Sequence, residues 1–565
     1  MKLTIFRILL MVMNRKNVIM FSAFTLFFFN SLFAQYNSPL NREWSLIYQE
    51  ENNQLSRKVR ANDSVISKAE LIDYSCFQPF IVVPIHIQKD KSKSYFYRKI
   101  KKENFIIVND TADRFYLTLD PLFNFELAKD IDAANPQRLY TNTRGFRIKG
   151  DIDKKFVFES SFYENQSTFP DYIDAYITST NALFKQKGYY EYNVIPGQGR
   201  SKKFKKNGYD YAMASGYISY SPNKIINLQA GHGKHFIGNG YRSLLLSDNA
   251  FNYPYLRITT TYRNIQYTNL YTSFINLTDG GVKTPPNIER LFQKKIGSFQ
   301  LLSVNLWSRL QLGLFQAMIW EATDTMNRQH VNFNTFNPVI GVNSLIYGLH
   351  SKNNMLLGLN VKFIINNSIN LYGQYLLDDA TAHNYKTTIG NKNGYQLGFK
   401  YFNMFRIKNL HLQAEYNQVR PYVYAATQPA QSYTHYNQSL AHPLGANFKE
   451  VVGFLNYKKN RFFTELKIVY GIKGVDTLFS NFGGNVFKAD NVNTFTGTSP
   501  AQINGNLTTI RYQQIYIGYL LNEATNLNII AGVSYRVQSN NEFISHSMFI
   551  FFGIRTSLRN FYYDF

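Results

Sequence analysis

The 565-residue sequence predicts an all-β protein, a transmembrane antiparallel β-barrel of about 18 strands with a small N-terminal helical periplasmic region. Three observations support this prediction. From about Asp110 to the last residue, apolar and polar side chains alternate with a period of two, which is typical of strands. Short turns alternate with long polar connections, as in outer-membrane barrels. Aromatic residues make up 16% of the chain against 17% charged residues, which suits aromatic girdles at two lipid–water interfaces.

The N-terminal residues predict export. An apolar run from Val18 to Ala34 follows two basic residues and ends in a small-residue cleavage site, so residues 1–34 are interpreted as a signal peptide. A retained N-terminal anchor is the alternative, and Met13 competes with Met1 as the start. Cleavage removes four basic residues and no acidic one, which takes the formal net charge from +24 to +20. The single cysteine, Cys76, cannot form an intramolecular disulfide and is interpreted as a buried or incidental thiol.

Residues 35–110 are predicted to form the N-terminal periplasmic region, partly helical. Ser38 suits a helix cap and Pro39 the first helical position, and an apolar stripe with helical spacing continues to about Ser75. A second short helix is predicted from Ser64 to Leu71. We expect a soluble appendage that precedes the barrel of residues 111–565. The mean hydropathy of −0.28 argues against a bundle of membrane helices.

The strands are predicted from two-residue periodicity. In "LHLQAEYN", Leu410, Leu412, Ala414 and Tyr416 fall on one face, and His411, Gln413, Glu415 and Asn417 on the other. Short turns are predicted at residues 221–223, 263–264, 366–368 and 458–460, and long connections at 276–298, 321–354, 378–393, 420–449 and 471–506. A soluble β-sandwich seldom alternates in this way, although a secreted soluble all-β repeat protein is the competing interpretation.

The period-two segments number about 18, an even number as in bacterial single-chain barrels, and closure is the physical reason for such a sheet. In lipid every backbone donor and acceptor must be paired within the protein, and a closed sheet leaves no open edge. The C-terminal Phe565 is interpreted as a terminal aromatic residue on the last strand, similar to the insertion signal of outer-membrane barrels.

The stretch "GKHFIGNGYRSLLLSDNAFNYP", from Gly233 to Pro254, raises the question of phosphate binding. A P-loop needs Ser or Thr after the Gly-Lys pair, but His235 stands there. The stretch is therefore predicted to have a structural role: Gly238 and Gly240 allow tight bends or close approach, and Leu244 to Leu246 form a short apolar plug. We expect it to fold against or into the barrel and to narrow the lumen.

Enzymatic and metal-binding interpretations find weak support in the pattern. Ser243, His232, His235 and Asp248 are the residues from which an acyltransferase or hydrolase site would have to be assembled. The two histidines project to opposite sides of a strand, which argues against joint metal ligation. Asp378, Asp379 and His383 could bind a cation in a loop, but a solvated loop is the better interpretation. The sequence predicts no catalytic residue, no metal and no cofactor.

Two stretches carry a family resemblance. The segment from Gly233 to Pro254 resembles the most recognisable part of the Wzi-type capsule-assembly barrels of Gram-negative outer membranes, and together with "AHPLGANFKE", Ala441 to Glu450, it resembles the RemB-type gliding-motility proteins. The motif residues are Gly233, Lys234, Gly238, Gly240, Ser243, Leu244, Leu246, Ser247, Asn249 and Pro254. The resemblance implies a barrel of about 18 strands with an occluded lumen and a helical periplasmic part. It also implies contact with polysaccharide, a role in capsule retention or in cell movement over surfaces, and no catalytic residue.

A long connection offers a glycan-binding surface in its own right. In "RPYVYAATQPAQSYTHYNQ", flat apolar rings are interspersed with hydrogen-bond donors, and sugar rings can stack on such faces. The predicted binding residues are Arg420, Tyr422, Tyr424, Tyr433, His435 and Tyr436. Some of these tyrosines could instead belong to the upper aromatic girdle.

The net positive charge favours acidic partners by long-range attraction. The predicted partners are extracellular or capsular polysaccharide, an acidic one in particular, outer-membrane lipid, and proteins of a gliding or secretion machinery. Nucleic acid is excluded because the compartment is wrong and the basic residues are scattered among strands. A pore is the main competing function, since barrels of about 16–18 strands can hold a channel. Inward-facing Arg257, Glu465, Lys467 and Arg555 would suit such a channel.

Overall fold

The fold was established with a computed structural model. It describes residues 36–43, 45–46, 49–50, 76–79, 81–82, 93–110, 112, 114–132, 138–153, 155–185, 193–277, 292–322, 333–347, 353–380, 391–476, 480–490, 503–556 and 560–565. The predicted signal peptide, the predicted helix from Ser64 to Leu71 and the predicted cation ligand His383 lie outside these ranges.

The predicted barrel is confirmed: the structure is a closed antiparallel barrel of 18 strands. The strands are β1 Phe115–Asp130, β2 Arg138–Ile152, β3 Phe156–Thr168, β4 Gly208–Tyr220, β5 Ile226–Gly233, β6 Tyr253–Tyr262, β7 Ile265–Asn276, β8 Gln293–Trp307, β9 Leu310–Glu321, β10 Asn354–Ile364, β11 Ile369–Ala380, β12 Asn391–Tyr401, β13 Leu410–Val419, β14 Phe448–Lys459, β15 Phe462–Val475, β16 Asn506–Asn522, β17 Leu527–Ser539 and β18 Ile544–Arg555. Each strand pairs with the next, and β18 returns to β1 with Phe552 opposite Leu127.

The two faces of the wall carry opposite chemistry. On β13 the polar side chains His411, Gln413, Glu415 and Asn417 are buried toward the lumen, while the apolar residues between them face outward. Outward apolar side chains elsewhere are strongly exposed, for example Leu314 at 49% and Phe552 at 56%. Such an exterior is stable only in lipid, because in water it would form one large exposed apolar surface.

The connections define two ends of the barrel. Eight short connections, 153–155, 221–225, 263–264, 308–309, 365–368, 402–409, 460–461 and 523–526, lie at what we call the short-turn end. The opposite, long-loop end carries the connections 169–207, 277–292, 322–353, 381–390, 420–447 and 476–505. The predicted turns and long loops correspond to these with shifted bounds: the turn predicted at 458–460 lies at 460–461, and the connections predicted at 276–298 and 471–506 include residues 293–298 of β8 and 471–475 of β15. In outer-membrane barrels long loops face the cell exterior.

The N-terminal residues differ from the predicted appendage. Residues 42–43, 45–46 and 49–50 are helical, but the described residues between 36 and 50 lie against inward-facing side chains of the barrel. Arg42 forms an ion pair with Glu465, the hydroxyl of Tyr36 donates to Asp151 (2.6 Å), and Lys400 Nζ donates to Gln49 Oε1 (2.7 Å). The segment enters the barrel because its polar groups complete those of the lumen wall.

The structure also describes helices α1 Tyr95–Lys101, α2 Asp171–Lys185 and α3 Val342–Tyr347. Short strands add to the wall, among them Ile106–Asp110, which pairs with the start of β1. Ser94 caps α1 by accepting from the backbone N–H of Tyr97 at 3.4 Å. Among the described residues no helix has the length and apolar character needed to cross a membrane. Cys76 is fully buried, with its Sγ 3.9 Å from Ser303 Oγ.

The prediction for Phe565 is wrong. The last strand ends at Arg555, and residues 560–565 turn back into the lumen, where Tyr562 and Asp564 are buried. The ring of Phe565 lies 4.8 Å from that of Tyr176, and its carbonyl oxygen accepts from Arg536 Nε and Nη2 at 3.0 and 2.8 Å. Aromatic residues at this position therefore fill the interior instead of terminating the wall.

Candidate functional site

The connection between β5 and β6, residues 234–252, does not rise from the long-loop end but runs through the lumen, and we call it the inner segment. The strands on either side of it remain paired up to Gly233 and Tyr253. Leu244, Leu245 and Leu246 at its centre have no exposed surface and belong to the largest apolar cluster of the barrel. The three leucines are buried because the barrel wall and its loops surround them.

Polar side chains of the wall satisfy the backbone of the inner segment. Glu415 on β13 accepts from the N–H groups of Tyr241 (2.8 Å) and Arg242 (3.1 Å). Gln374 on β11 accepts from Leu244 N (2.8 Å) and donates to Ile237 O (2.9 Å). A buried irregular segment needs such partners, since unpaired backbone groups are costly.

The loop 420–447 holds the other side of the inner segment. The hydroxyl of Tyr424 donates to Leu244 O and that of Tyr433 to Leu245 O, both at 2.7 Å. The two rings stack with centroids 5.7 Å apart and have no exposed surface. The inner segment is therefore bonded between the wall and a loop of the long-loop end.

An ionic cluster lies beside the inner segment. Arg242 donates to Glu450 through Nη2 (2.8 Å) and Nε (3.2 Å), and the same Nη2 lies 3.1 Å from Asp564 Oδ1. Asp564 also accepts from the hydroxyl of Tyr241 at 2.8 Å and lies 3.3 Å from Lys467 Nζ. His442 Nε2 is 2.7 Å from Glu450. The cluster joins the inner segment, the wall and residues 560–565.

Burial and charge act in opposite directions on these groups. Burial by itself raises the pKa of the Asp564 carboxyl, but Arg242 and Lys467 outweigh it and hold that pKa below its usual range. Burial disfavours the charged form of Arg242, yet Asp564 and Glu450 raise the pKa of the guanidinium well above its ordinary value. Burial lowers the pKa of His442, although Glu450 opposes the shift.

Two glycines of the inner segment sit where a side chain has no room. A Cβ on Gly238, which has a φ of 148°, would lie 2.5 Å from Gln374 Nε2. A Cβ on Gly240 would lie 2.3 Å from Glu415 Oε2. The close approach expected for these glycines is thus an approach to the wall side chains that bind the segment's backbone.

The other motif residues lie in the same interior, apart from Pro254, which is exposed at position two of β6. Lys234 Nζ donates to Gly197 O (2.6 Å) and Asp248 O (3.0 Å). Ser247 N and Asn249 Nδ2 donate to the carbonyls of Leu440 (2.7 Å) and Ser439 (3.0 Å). With the bond from Arg242 to Glu450, the contacts to Ser439 and Leu440 bring the stretch 233–254 against residues 439–450.

The residues considered for acyl transfer do not form a catalytic arrangement. Ser243 Oγ donates to Ile237 O at 2.5 Å and accepts from Leu245 N at 3.1 Å, and Asp248 accepts from the hydroxyl of Tyr562 at 2.5 Å. His235 is buried against the rings of Phe77, Tyr253 and Tyr255. Within the described residues no hydrogen bond of Ser243 involves a histidine.

Of the residues considered for cation binding, the side chains of Asp379 and His383 lie outside the described part of the chain, and Asp378 is engaged elsewhere. Asp378 accepts from the backbone N–H of Tyr424 at 2.6 Å. Among the residues that the structure describes, no group of three or more His, Cys, Asp or Glu side chains is placed to hold a metal ion.

The predicted glycan-stacking rings are mostly inaccessible. Tyr422, Tyr424, Tyr433 and His435 are at most 1% exposed. Tyr422 donates to Asn481 O at 2.5 Å, and His435 bonds Ile275 N and Asn252 O at 3.0 and 3.1 Å, with burial lowering its pKa to about 3. Of the six residues, Arg420 and Tyr436 are partly exposed. The buried rings brace the inner segment and offer no face to a sugar in this structure.

Sequence reasoning missed a basic surface at the long-loop end. Residues Arg200–Phe204 pair with the start of β4 to form a hairpin, which we call the basic hairpin, residues 200–210. Its exposed lysines are Lys202, Lys203, Lys205 and Lys206. The expectation that basic residues are only scattered among strands is wrong here, and the run "KKFKK" was the signal that could have revealed it.

The described residues line two of the cavities in the interior. One of about 500 Å³ lies toward the short-turn end, lined among others by Lys149, Glu159 and Lys234. The other, of about 240 Å³, is lined by Lys467, Arg555 and Tyr563 among others. Of the four residues expected to face a channel, Lys467 contacts Asp564, Glu465 pairs with Arg42, and Arg257 donates to Asn37 Oδ1 at 2.8 Å. Segments inside the lumen thus bind three of these charged wall residues.

Comparison with known proteins places the chain in a family. The model of the family "Capsule assembly protein Wzi" matches residues 140–463, more than half of the chain. No curated protein sequence matches the chain significantly. Wzi of Escherichia coli, described as a carbohydrate-binding outer-membrane β-barrel involved in group 1 capsule assembly, is 12% identical with a TM-score of 0.47 and covers 78% of this chain and 85% of its own.

Other solved barrels are similarly distant. OccAB2 of Acinetobacter baumannii is 9% identical with a TM-score of 0.41, over 78% of this chain and 97% of its own. OprD of Pseudomonas aeruginosa is 9% identical with a TM-score of 0.41, over 79% and 95%. The family assignment therefore depends on the sequence match to the family model, which spans β2 to β15 and includes the inner segment. The chain belongs to the Wzi capsule-assembly family of outer-membrane β-barrels.

Proposed function

We propose that this protein holds extracellular or capsular polysaccharide at the cell surface and that its barrel serves as an anchor instead of a pore. The observation that carries the proposal is the inner segment, which occupies the lumen and is bonded to the wall by Glu415 and Gln374 and to the loop 420–447 by Tyr424 and Tyr433. Membership in the Wzi family and the carbohydrate-binding character of Escherichia coli Wzi support the same role.

The basic hairpin is the proposed contact for an acidic polysaccharide. Lys202, Lys205 and Lys206 are exposed at the long-loop end, and Lys205 Nζ lies 5.1 Å from the centroid of the partly exposed Phe204 ring. Lys203 is engaged with Tyr209, to whose hydroxyl it donates at 2.8 Å. Several like charges on a hairpin attract a polyanion through water, and added salt weakens that attraction. Arg420 and Tyr436, both partly exposed, are proposed as secondary contacts.

A charge-neutralising variant tests the contact. The combined substitution Lys202→Gln, Lys205→Gln and Lys206→Gln should reduce the acidic polysaccharide retained on cells severalfold at low ionic strength, and the difference from the unaltered protein should shrink as salt is added. The measurement is cell-bound against released polysaccharide at equal amounts of folded barrel.

The matched control changes three basic residues at the other end of the barrel. Arg309, Lys408 and Lys459 are exposed at the short-turn end, so their replacement by Gln removes the same charge without touching the hairpin. Equal retention by both triple variants and the unaltered protein would remove the hairpin from the proposal.

A role in gliding motility is the finer proposal. It depends on the likeness of the stretches 233–254 and 441–450 to RemB-type proteins, and these stretches form one contact through Arg242 and Glu450. In this role the same barrel binds surface polysaccharide that the gliding machinery uses. Gene deletion scored for both colony spreading and cell-bound polysaccharide tests it: loss of spreading with normal polysaccharide favours motility, whereas loss of polysaccharide with normal spreading contradicts it.

A further inference from the structure

The outer wall of β7–β10 contains polar side chains where lipid is expected. Along β7, β8 and β9, Leu270, Phe299 and Phe315 point into the interior core. Their sequence neighbours Asn269, Gln300 and Gln316 therefore point outward. Bare polar side chains on a lipid-facing wall would be costly.

These polar side chains are covered by part of the loop between β9 and β10. Residues 333–347, which we call the outer strap, lie against the outside of the barrel, and Asn269, Gln300 and Gln316 are at most 5% exposed. Outward Met318, Trp320 and Met355 are buried as well and pack against Tyr347. The ring of Trp320 is 5.2 Å from that of Tyr347.

The strap is hydrogen-bonded to the wall through its backbone. Gln316 Oε1 accepts from Gly341 N (2.7 Å), and Gln300 Nε2 donates to Asn337 O (3.3 Å). The hydroxyl of Tyr271 donates to Phe336 O (3.0 Å). The hydroxyl of Tyr267 donates to Pro338 O and accepts from Ile340 N (3.0 Å). Polar wall residues and irregular backbone, which lipid would each disfavour, are thus bonded to each other.

The position of these contacts sets the depth of the strap. Tyr267 is the third residue of β7, next to the turn 263–264 at the short-turn end, although the strap belongs to a connection of the opposite end. The strap therefore descends along the outer wall to the level of lipid-facing residues such as Leu314, which is 49% exposed.

The outward surface of the strap is mainly apolar, and the side-chain amide of its exposed Asn334 donates to the hydroxyl of Tyr347 at 2.5 Å. Residues 333–347 include no charged residue, and Phe333 (87%), Leu345 (86%), Ile346 (62%) and Val339 (52%) are exposed. At this depth a surface of this composition fits hydrocarbon. We propose that the outer strap is a membrane-embedded part of a surface loop whose apolar side chains contact the acyl chains of the outer membrane.

The partner is lipid rather than a second protein copy because the apolar residues of the strap continue the bare apolar wall beside it. The strap widens the lipid-facing circumference of the barrel at β7–β10 and ties the loop 322–353 to the bilayer. The strap is thus an additional anchor between the surface loops and the membrane.

Depth-dependent quenching tests the proposal. An environment-sensitive fluorophore is attached to the cysteine of the Leu345→Cys variant. The full chain is then reconstituted in phosphatidylcholine vesicles whose acyl chains carry nitroxide groups. Leu314→Cys is the matched control on the lipid-facing wall, and Glu542→Cys, exposed in the 540–543 turn, is the control in water. The unaltered chain, whose buried Cys76 remains, gives the labelling background, and a shift in gel mobility on heating confirms folding of each variant.

The expected result is that the label at Leu345 is quenched by acyl-chain nitroxide as strongly as that at Leu314 and severalfold more than that at Glu542, with little quenching by aqueous iodide. Quenching of Leu345 by iodide to the level of Glu542 would overturn the proposal. Protection from both quenchers would overturn it as well, because a protein surface would then cover the strap.

Discussion

At the scale of single residues, the ionic cluster shows why buried charges in this lumen depend on one another. Asp564 is 1% exposed and bridges Arg242, Lys467 and the hydroxyl of Tyr241. Removing one member of such a buried group leaves an uncompensated charge, which typically costs about 3–5 kcal/mol. Residues 560–565 are consequently held in the lumen by charge as well as by packing.

The first residue-scale prediction concerns pH. The pKa of Asp564 is lower in the folded barrel than in the unfolded chain, so its ionisation stabilises the fold above an unfolded value of about 3.9, and this contribution is lost as the pH falls through the folded pKa. We expect Asp564→Asn to lower the free energy of unfolding by about 3–5 kcal/mol at pH 7. The loss should become smaller below about pH 4.

The measurement is the urea midpoint of purified barrel as a function of pH. Glu542→Gln, at an exposed turn position, is the control and should leave the midpoint unchanged at every pH. A loss for Asp564→Asn that is equally large at pH 7 and in acid would show that shape, and not charge, accounts for the effect.

At the scale of elements, two-residue periodicity predicts the strands because each wall position is either in lipid or in the lumen. The lumen is crowded, so the polar face of β13 is the buried one: Glu415 and Gln413 lie inside, whereas Leu412 and Ala414 face outward. The predicted turns are local in sequence and lie within two residues of the observed ones. The same argument could not place the inner segment's partners, since Tyr241 and Asp564 are 323 residues apart.

The tyrosines of the loop 420–447 show that a sequence pattern does not by itself reveal whether a side chain is exposed. Tyrosines with nearby hydrogen-bond donors are typical of a sugar-binding surface and also of a buried structural contact. Only the burial of the rings distinguishes the two. Tyr424 and Tyr433 are braces, with hydroxyls bonded to Leu244 O and Leu245 O. The basic hairpin carried a sufficient local signal, whereas the outer strap depends on side chains of three strands distant in sequence.

At the scale of the whole molecule, the protein is a barrel whose interior is built from its own chain. The lumen is occupied by the described residues between 36 and 50, the inner segment, the loop 420–447 and residues 560–565, which bond to inward polar side chains and to one another. A wide barrel has few other ways to pair so many inward polar groups without water. Occlusion is thus a property of several segments, and the inner segment contacts two of the others directly, the loop 420–447 through Tyr433 and residues 560–565 through Asp564.

The whole-molecule prediction follows from the geometry of β5 and β6. Gly233 pairs with Tyr253, so residues 234–252 can be replaced by a short Gly-Ser turn without changing the register of either strand. We expect the unaltered protein to show no stable, sizeable conductance in planar bilayers and the excised variant to conduct, because barrels of about 16–18 strands are wide enough for a channel once emptied. Excision of residues 278–291, between the paired Asn276 and Gln293, is the control and should remain silent. Conductance by the unaltered protein would contradict the anchor function, and silence of a folded excised variant would show that the remaining lumen segments suffice to close the barrel.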